Sequence, residues 1–480
     1  MPTRGLTQAR ALFVSLSGLS LGVSLSACSL APHYTRPATE APPPAYQEAA
    51  GWKTAQPADA QNRGAWWEVF GDPQLNALEG RVTNANQDIK ASFARLQQAR
   101  AQTQIVRSNL FPTVTVDPRA TRERQSLNAP TYSSSKSRYG NDFALDADVS
   151  YELDVWGRIR NSVASARASE QASAADLATL DLGIHAELAN DYFTLRSEDT
   201  QQELLDKTAT DYASALELTQ NLYDGGAAAL ADLDQAKAQL ETARTEASDM
   251  RLRRAQTEHA IAVLLGQLPS TFHLDPLPLP LDVVPPAIDV GLPSALLERR
   301  PDVAAAERRV AAANAQIGVA RAAYFPIFSL SGTAGFESTK TANWISAPSL
   351  LWAVGPSAVL TVFDAGMHRA QSAQAHAAYD EQVANYRGTV LSAYQDVEDN
   401  IAALQHLQEE SVSEAAAVEA TSGALDQAQY RYKAGIVTYL EVVAAENAAL
   451  AARLSAADIQ VRRMIASVQL VKALGGGWGR

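Results

Sequence analysis

The sequence predicts a mostly helical protein built from two internal repeats, each combining a pair of β-strands with one very long helix. Three observations predict this fold class. Prolines are missing from two long stretches that have helical periodicity, and short segments between the helices alternate between apolar and polar residues. Several motifs of the first half then return in the second half of the chain.

Two helical patterns are exceptionally long and cover roughly 158–223 and 367–433. Proline breaks the interior of a helix, and neither stretch contains one. At 1.5 Å per residue each helix would be about 100 Å long, which suggests a coiled coil or a helical barrel. Shorter helical patterns cover about 74–108, 227–265, 293–322 and 436–475.

The segment FALDADVSYELDV, residues 143–155, predicts a strand with one apolar and one acidic face. Every second residue is apolar, and the positions between include Asp146, Asp148, Glu152 and Asp154. A half-buried soluble sheet would alternate in the same way, but a barrel wall with lipid outside and a wet lumen satisfies both faces. The possible partner strands are 111–125, 325–338 and 350–363. Four strands cannot close a barrel, because the smallest common barrels need about eight, so several chains would share one.

The repeat is visible in motifs that recur at a nearly constant spacing. Phe111-Pro112 returns as Phe325-Pro326, and Gly157 returns as Gly366. Each half therefore consists of a helix, a strand pair, a very long helix, a tight turn and a last helix.

The N-terminus predicts a secretory signal that ends before Cys28, the only cysteine in 480 residues. Arg4 and Arg10 accompany an apolar stretch that is shorter than the ~20 residues needed to span a membrane. The sequence Leu-Ser-Ala-Cys resembles the bacterial lipobox, so we expect diacylglycerol and palmitate on Cys28 to tether the chain to a bilayer. Ser29 after the cysteine resembles outer-membrane rather than inner-membrane lipoproteins. The alternative is a buried free cysteine beside an ordinary signal.

Composition excludes several functions. A net charge of −13 argues against nucleic acid as a partner, because nucleic acid needs a basic face. After the signal no apolar run approaches the ~20 residues of a membrane-spanning helix, which predicts that no helix crosses the membrane. The pattern Gly-x-Ser-x-Gly at 18–22 lies inside the signal, without the preceding strand of a nucleophile elbow. The seven histidines show no metal-ligand spacing. We therefore expect no enzyme activity, no catalytic residue, no metal and no cofactor apart from the lipid.

Five motifs together resemble the outer-membrane factor lipoproteins of the NodT/OprM type, relatives of TolC. They are WWEVFGDPQLNAL (66–78), YELDVWGRIR (151–160), RRPDVAAAERRVAAANAQIGVARAAYFP (299–326), FDAG (363–366) and YKAG (432–435). The resemblance implies a homotrimer with a shared twelve-stranded β-barrel, four strands per chain, and a long α-helical barrel in the periplasm. It implies an outer-membrane exit duct of a tripartite efflux system that passively passes small molecules such as drugs. The implied partners are a periplasmic adaptor and an inner-membrane pump, often of the RND class.

Other functions remain open at this stage. A type I protein-secretion duct would have the same architecture, and neighbouring genes would distinguish the two. A lipid-tethered coiled-coil spacer would not need alternating strands, and a lipid-anchored enzyme would need a catalytic motif. The sequence does not name the exported substrate. The expected organisation is a signal peptide (1–27), a lipidated leader (28–65), a first repeat (66–266), a linker (267–292), a second repeat (293–475) and a tail (476–480).

Two tight turns, YDGGAAALAD (223–232) and YKAGIVTYLE (432–441), interrupt the helices at matching places. Gly225, Gly226 and Gly435 allow the positive φ that helix ends favour. The resemblance places these turns at the periplasmic tip, where the tunnel narrows and adaptors dock.

The resemblance also implies a gate at this tip. Asp232 and Glu441 match acidic positions at the family's constriction, so three chains would supply six carboxylates that favour cations. Leu440 matches a position where an apolar ring narrows the tip. Ala444 stands where relatives carry an aspartate, which suggests a looser and less acidic gate. The alternatives are ordinary surface charge for the two carboxylates and an ordinary helix contact for Leu440.

Overall fold

The computed structural model describes residues 29–39, 64–128, 138–288 and 299–476, together with two short paired strands at Ala45–Tyr46 and Ala49–Ala50. The chain divides into two compact units. The described residues of the first unit lie within 29–38, 96–173 and 306–386, and those of the second lie within 39–95, 174–305 and 387–476.

Helices dominate the described part of the chain. The two longest, α3 and α6, have 67 residues each, which confirms the prediction of two exceptionally long helices. None of the helices in the described ranges is both long enough and apolar enough to cross a membrane. The helices are α1 (Pro73–Ala85), α2 (Gln87–Ser108), α3 (Arg158–Asp224), α4 (Leu230–Leu264), α5 (Pro301–Ala322), α6 (Met367–Lys433) and α7 (Tyr439–Ala473).

The helix expected over 74–108 is two helices, because Asn86 ends α1 and begins α2. Its extended backbone (φ −62°, ψ 132°) leaves the helical region. Its side-chain Oδ1 accepts hydrogen bonds from the N–H groups of Asp88 (2.9 Å) and Ile89 (3.1 Å), as an N-cap does. Its Nδ2 donates to the carbonyl of Leu264 at 3.0 Å. The side chain of Asn86 therefore stabilises the start of α2 and contacts the end of α4.

The internal repeat is present in the helix lengths. Helices α2 and α5 have 22 residues each, and α4 and α7 have 35 residues each. Gly266 and Gly475 follow α4 and α7 at matching places, and both have positive φ, +62° and +89°. A Cβ on Gly266 would lie 2.5 Å from the carbonyl oxygen of Ala85. Glycine is therefore required where α4 ends beside α1.

The strands form one antiparallel sheet in the order β1-β2-β3-β4. Its centre is β2–β3, where Asp148 pairs with Thr333, and its edges are β1 and β4. Each half of the chain supplies one hairpin, and the two hairpins join along β2 and β3. The strands are β1 (Thr113–Arg124), β2 (Tyr139–Leu153), β3 (Ile327–Ser338) and β4 (Leu350–Val359).

The sheet has one apolar and one polar face, as the alternation in the sequence predicts. Val149 lies opposite Val114 on one side and Gly332 on the other, and Gly332 lies opposite Val354. Val114 and Val354 are about two-thirds exposed, at 64% and 67%. Paired residues share a face, so this row belongs to an uncovered apolar surface in the single chain. On the other face Asp148 lies between Thr115 and Thr333.

Two of the acidic residues expected on the strand have a different role. Asp154 lies just past the end of β2, and its two oxygens each accept a backbone N–H, from Ile159 and Arg160, at 2.9 Å. Glu152 receives two hydrogen bonds from Arg158, at 2.9 and 2.7 Å. These two carboxylates therefore stabilise the first turn of α3.

The leader packs within the first unit directly after Cys28. Ser29 Oγ donates to the side chain of Asn161 at 3.0 Å, and the carbonyl of Pro32 accepts from Asn314 at 3.0 Å. Arg36 Nε donates to the hydroxyl of Tyr386 at 3.0 Å. Residues 29–36 are thus fixed to α3, α5 and α6.

The main core lies in the second unit. Large side chains from α1, α3, α4 and α7 are fully buried there, and they form one continuous cluster. Its most buried members include Leu75, Val82, Leu188, Ile261 and Val468. Burial of each such side chain contributes about 1.5–3 kcal/mol, so this cluster contributes strongly to the packing of α1, α3, α4 and α7.

Candidate functional site: the two helical turns

The first turn joins α3 to α4 and ends α3 with a Schellman motif. Gly226 has φ +71°, its N–H donates to Tyr223 O at 2.9 Å, and the N–H of Ala227 donates to Leu222 O at 2.7 Å. These two bonds satisfy carbonyls that the helix end would leave free. Of the two glycines here, only Gly226 needs a positive φ, because Gly225 lies one residue earlier and keeps a negative φ. Of the three turn glycines expected to allow a positive φ, Gly226 and Gly435 adopt one and Gly225 does not.

The second turn joins α6 to α7 with the same backbone. Gly435 also has φ +71°, its N–H donates to Tyr432 O, and the N–H of Ile436 donates to Arg431 O, both at 2.9 Å. The two turns therefore share the same φ at the glycine and the same pair of backbone hydrogen bonds, at matching positions of the two repeats.

The carboxylates of the two turns have different partners. Asp232 lies in the first turn of α4, and its Oδ2 accepts the backbone N–H of Ala229 at 3.2 Å. Glu441 lies in the first turn of α7 and pairs with Arg431 across the second turn, with Nη1 and Oε2 3.3 Å apart. Both side chains of that pair are about half exposed, so the ion pair adds little stability. It does, however, place a positive charge beside one of the two carboxylates.

Leu440 directly precedes Glu441 on α7 and is 64% exposed in the single chain. Its neighbour Tyr439 points inward and is 3% exposed. Ala444 is exposed one turn further along α7. Cys28, the expected lipidation site, lies outside the described residues.

Beneath the turns, α3, α4, α6 and α7 pack through small side chains. One buried cluster there consists of Ala236, Ala428, Tyr439, Val442 and Val443, and Ala215 and Leu216 of α3 pack against it. Alanine lets helices approach closely, because its side chain extends little beyond the backbone. The four helix ends are therefore a packed unit rather than isolated hairpins.

Polar groups that sequence reasoning missed lie within this packing. Tyr212 on α3 donates to Asn447 on α7 at 3.2 Å, and burial raises the pKa of Tyr212 to about 12. Burial also raises the pKa of Glu446 to about 7, and the charge of Asp211 adds to the effect. Tyr439 packs against Tyr432, with ring centroids 5.6 Å apart. Comparing the two repeats could not reveal Glu446, because the matching position of the first repeat is Lys237. The same holds for Arg431 of the second turn, whose matching position is Leu222.

The described residues contain no group of three or more His, Cys, Asp or Glu side chains placed to hold a metal ion. The two turns consist of backbone caps, one exposed ion pair and exposed apolar side chains. Such an arrangement can bind a protein surface and can narrow or widen a passage between helices.

The long paired helices closed by tight turns, and the four-stranded sheet with one apolar face, define the protomer of a TolC-like outer-membrane channel. The chain belongs to the outer membrane efflux protein family, whose model matches residues 80–267 and 292–476. It is therefore an outer-membrane efflux channel and not an enzyme.

Relatives and solved structures agree with this assignment. The chain is 33% identical over 476 residues to outer membrane protein OprJ of Pseudomonas aeruginosa, with 96% of each chain covered. It is 32% identical over 473 residues to the probable efflux pump outer membrane protein SepC of Pseudomonas putida, again with 96% of each covered. Among solved structures, the outer-membrane channel OprN has a TM-score of 0.85 at 32% identity, with 94% of this chain and 100% of that chain covered. The channel CusC has a TM-score of 0.81 at 26% identity, with coverages of 94% and 100%.

Proposed function

We propose that three copies of this chain assemble into one exit duct for small molecules. The observation that carries this proposal is the sheet. Four strands are too few to close a barrel, β1 and β4 are edge strands, and open edges pair readily with another chain. Three sheets joined edge to edge would form a twelve-stranded barrel with the apolar face toward lipid and the Asp148 face toward the lumen.

The partners in this proposal are a periplasmic adaptor and an inner-membrane pump of the RND type. Its support is the apolar surface at the turns, where Tyr430 is 71% exposed and Ile436 is 65% exposed. Clustered exposed apolar side chains mark protein interaction sites. An adaptor that covers them would also be placed to spread the helix ends and open the duct.

The proposed gate is formed by Asp232, Glu441 and Leu440 at the tip of the assembled helices. Three chains would supply six carboxylates and three leucines around one axis. A ring of carboxylates favours cations over anions, but Arg431 partly neutralises each Glu441. Asp232 would then contribute more of the field than Glu441.

The proposed anchor is a lipid on Cys28, with residues 1–27 removed as a signal peptide. Hydrogen bonds hold Ser29, Pro32 and Arg36 to the first unit, so the lipid would be attached to an ordered segment. Residues 28–65 would form the leader, 66–266 and 293–475 the two repeats, 267–292 the linker and 476–480 the tail.

Single-channel conductance in a planar bilayer tests the duct and its gate. Asp232→Asn and Glu441→Gln each remove a charge but keep a hydrogen-bonding side chain. In Asp232→Asn the amide oxygen can still accept the hydrogen bond from the backbone N–H of Ala229. Asp234→Asn is the matched control, because it removes the same charge from an exposed position two residues along α4. Expected is a small cation-selective conductance whose selectivity falls in Asp232→Asn, falls less in Glu441→Gln and stays unchanged in Asp234→Asn.

Two results would contradict parts of this proposal separately. A pore whose ion selectivity changes equally in all three variants would support the channel but contradict the assignment of Asp232 and Glu441 to the gate. Folded oligomers with no conductance, even when Asp232→Asn and Glu441→Gln are combined so that the Arg431–Glu441 pair is also broken, would count against the duct itself. Cross-linking that yields a stable species other than a trimer would refute the stoichiometry.

A further inference from the structure

The two hairpins of the sheet share one register, so each residue of the first hairpin has a counterpart in the second. Thr113 pairs with Ser150 in the first hairpin, and Ile327 pairs with Val359 in the second. Ile327 lies 214 positions after Thr113, which is also the spacing between the two Phe-Pro motifs. Val359 lies 209 positions after Ser150, which is also the spacing between the glycines that follow the two hairpins. Strand β3 is therefore the counterpart of β1, and β4 is the counterpart of β2.

Strand β4 ends earlier than its counterpart. The last three residues of β2, 151–153, pair only with β3, because the pairing with β1 ends at Ser150. Their counterparts are residues 360–362, which lie beyond the end of β4 at Val359. The edge of β4 that corresponds to the β3 side of β2 has no partner among the described strands. In the described part of the single chain, residues 360–362 therefore lack the neighbour that keeps 151–153 in a strand.

The segment after β4 is apolar and strongly exposed. Val362 is 90% exposed and Phe363 is 87% exposed. The opposite edge of the sheet also carries uncovered apolar side chains, since Val114 and Val116 of β1 are each 64% exposed. Exposed apolar patches mark interaction sites, and free strand edges pair readily with another strand. A second copy of the chain would supply a partner for both edges, because each copy carries one free edge of each kind.

The contact between β2 and β3 within the chain is a template for the contact between two chains. It places Leu153 opposite Phe328. The counterpart of Leu153 is Val362, and the counterpart of Phe328 is Val114. The same contact between β4 of one copy and β1 of another would therefore place Val362 opposite Val114.

We propose that residues 360–362 extend β4 on assembly and pair antiparallel with residues 114–116 of a second copy, with Val362 opposite Val114. The inference rests on the proposed trimer and adds to it a register and a segment that becomes strand only in the assembly. Each joint would lengthen the sheet at its free edges and bring apolar side chains of the two copies into contact.

The register also keeps the apolar face of the sheet continuous from one copy to the next. Val114 and Val354 belong to the apolar face, and Val362 lies an even number of residues from Val354, so an extended β4 would place it on the same face. A slip of one residue would place Val362 opposite a threonine such as Thr115, which lies on the polar face beside Asp148. That slip would turn the polar face of one copy toward lipid. The register follows from backbone pairing alone, so the agreement of the faces is independent support.

The same template accounts for an exposed ring just before β1. Trp156 follows β2 and stacks on Phe325, with ring centroids 4.7 Å apart, and its Nε1 donates to the carbonyl of Pro326 at 2.8 Å. The counterpart of Phe325 is Phe111, which is 62% exposed. The proposed joint would bring the segment after β4 of a second copy beside this ring, and Phe363 is the aromatic side chain of that segment.

Paired cysteines test the register in the full-length protein. Directly opposite residues of an antiparallel pair have Cα atoms about 4.5–5.5 Å apart, whereas cysteines more than about 7 Å apart cannot be bridged without backbone movement. The test variant combines Val362→Cys with Val114→Cys, and the matched control combines Val362→Cys with Val116→Cys, two residues out of register. Expected on mild oxidation are covalent dimers and trimers in the test variant, and their loss in the control. Each single variant should give neither, which excludes linkage through Cys28.

Hydrogen exchange of the wild-type assembly is a second measurement that needs no substitution. The slowest amide of residues 360–362 should exchange at least about tenfold more slowly than in an unstructured peptide of the same sequence. Exchange at the rate of that peptide would overturn the proposal. Trimers in which the control pair links as well as or better than the test pair would overturn the register, and both of these results would leave the trimer itself intact. Absence of any trimer would overturn this joint together with the proposed duct, so the two failures are distinguishable.

Discussion

The sharpest stability prediction concerns Asp199 on α3, whose side chain is only 1% exposed. Its carboxylate accepts three hydrogen bonds: from Arg254 Nε at 2.6 Å, from the backbone N–H of Leu277 at 2.8 Å and from Arg196 Nη1 at 3.3 Å. Asp199 therefore joins α3 to α4 and to the segment that follows α4. We predict that Asp199→Ala strongly destabilises the protein.

The magnitude follows from what the substitution leaves behind. Arg254 keeps Glu258 at 3.3 Å and the carbonyl of Leu274 at 2.7 Å. Arg196 is 2% exposed and keeps the carbonyl of Asp275 at 3.3 Å and the face of Tyr192 at 4.7 Å, neither of which carries a full negative charge. Breaking a buried ion pair from one side costs about 3–5 kcal/mol, because a buried charge loses its compensation. At roughly 2 °C per kcal/mol for a large chain, the thermal midpoint should fall by about 6–10 °C.

The assay is thermal unfolding followed by circular dichroism at one scan rate, with Asp206→Ala as the control. Asp206 pairs with Arg251 between the same two helices at 2.6 Å, but both side chains are about half exposed. Such a pair contributes about 0–1 kcal/mol, so the control midpoint should move by no more than about 2 °C. Equal shifts in the two variants would refute the reasoning, since burial would then not be the deciding factor.

Three further predictions concern the second turn and the sheet. Gly435→Ala should cost about 1 kcal/mol and lower the thermal midpoint slightly, because φ is +71° there. Glu446→Gln should raise the midpoint at pH 8 but not at pH 4.5. The folded pKa of Glu446, about 7, lies above its unfolded value, so the native state binds the extra proton and loses stability as pH rises through this window. Val354→Arg on the apolar face should reduce membrane insertion, at a cost of about 2–4 kcal/mol at the bilayer centre, whereas Ser331→Arg on the polar face should insert normally; equal insertion would contradict the assignment of faces.

The helices and strands were largely predictable from the sequence, because their periodicities are strong and proline marks their limits. The break at Asn86 was not, because apolar spacing continues through it from Val82 to Ile89. What ends α1 is a side chain that caps α2 and reaches Leu264. A bond between partners this far apart along the chain has no local pattern in the sequence.

The turns were predictable in position but only partly in chemistry. The glycines and the internal repeat locate both turns, and Gly226 and Gly435 do have positive φ. The pairing of Glu441 with Arg431 has no counterpart in the first repeat, so comparing the halves could not reveal it. Likewise, Asp154 and Glu152 belong to an acidic stripe in the sequence, yet they stabilise the start of α3.

The two turns of one chain differ in their side chains, and this difference limits how a single mutation can change the trimer. One codon in a duplicated chain changes three of the six hairpins in a trimer, and the other three keep their original surface. A change of charge in one turn is therefore present three times in the trimer. A protein that contacts the turns would also meet two different surfaces, because Leu222 in the first repeat stands at the position of Arg431 in the second. The two helical turns of one chain can therefore change independently of each other, because each has its own codons.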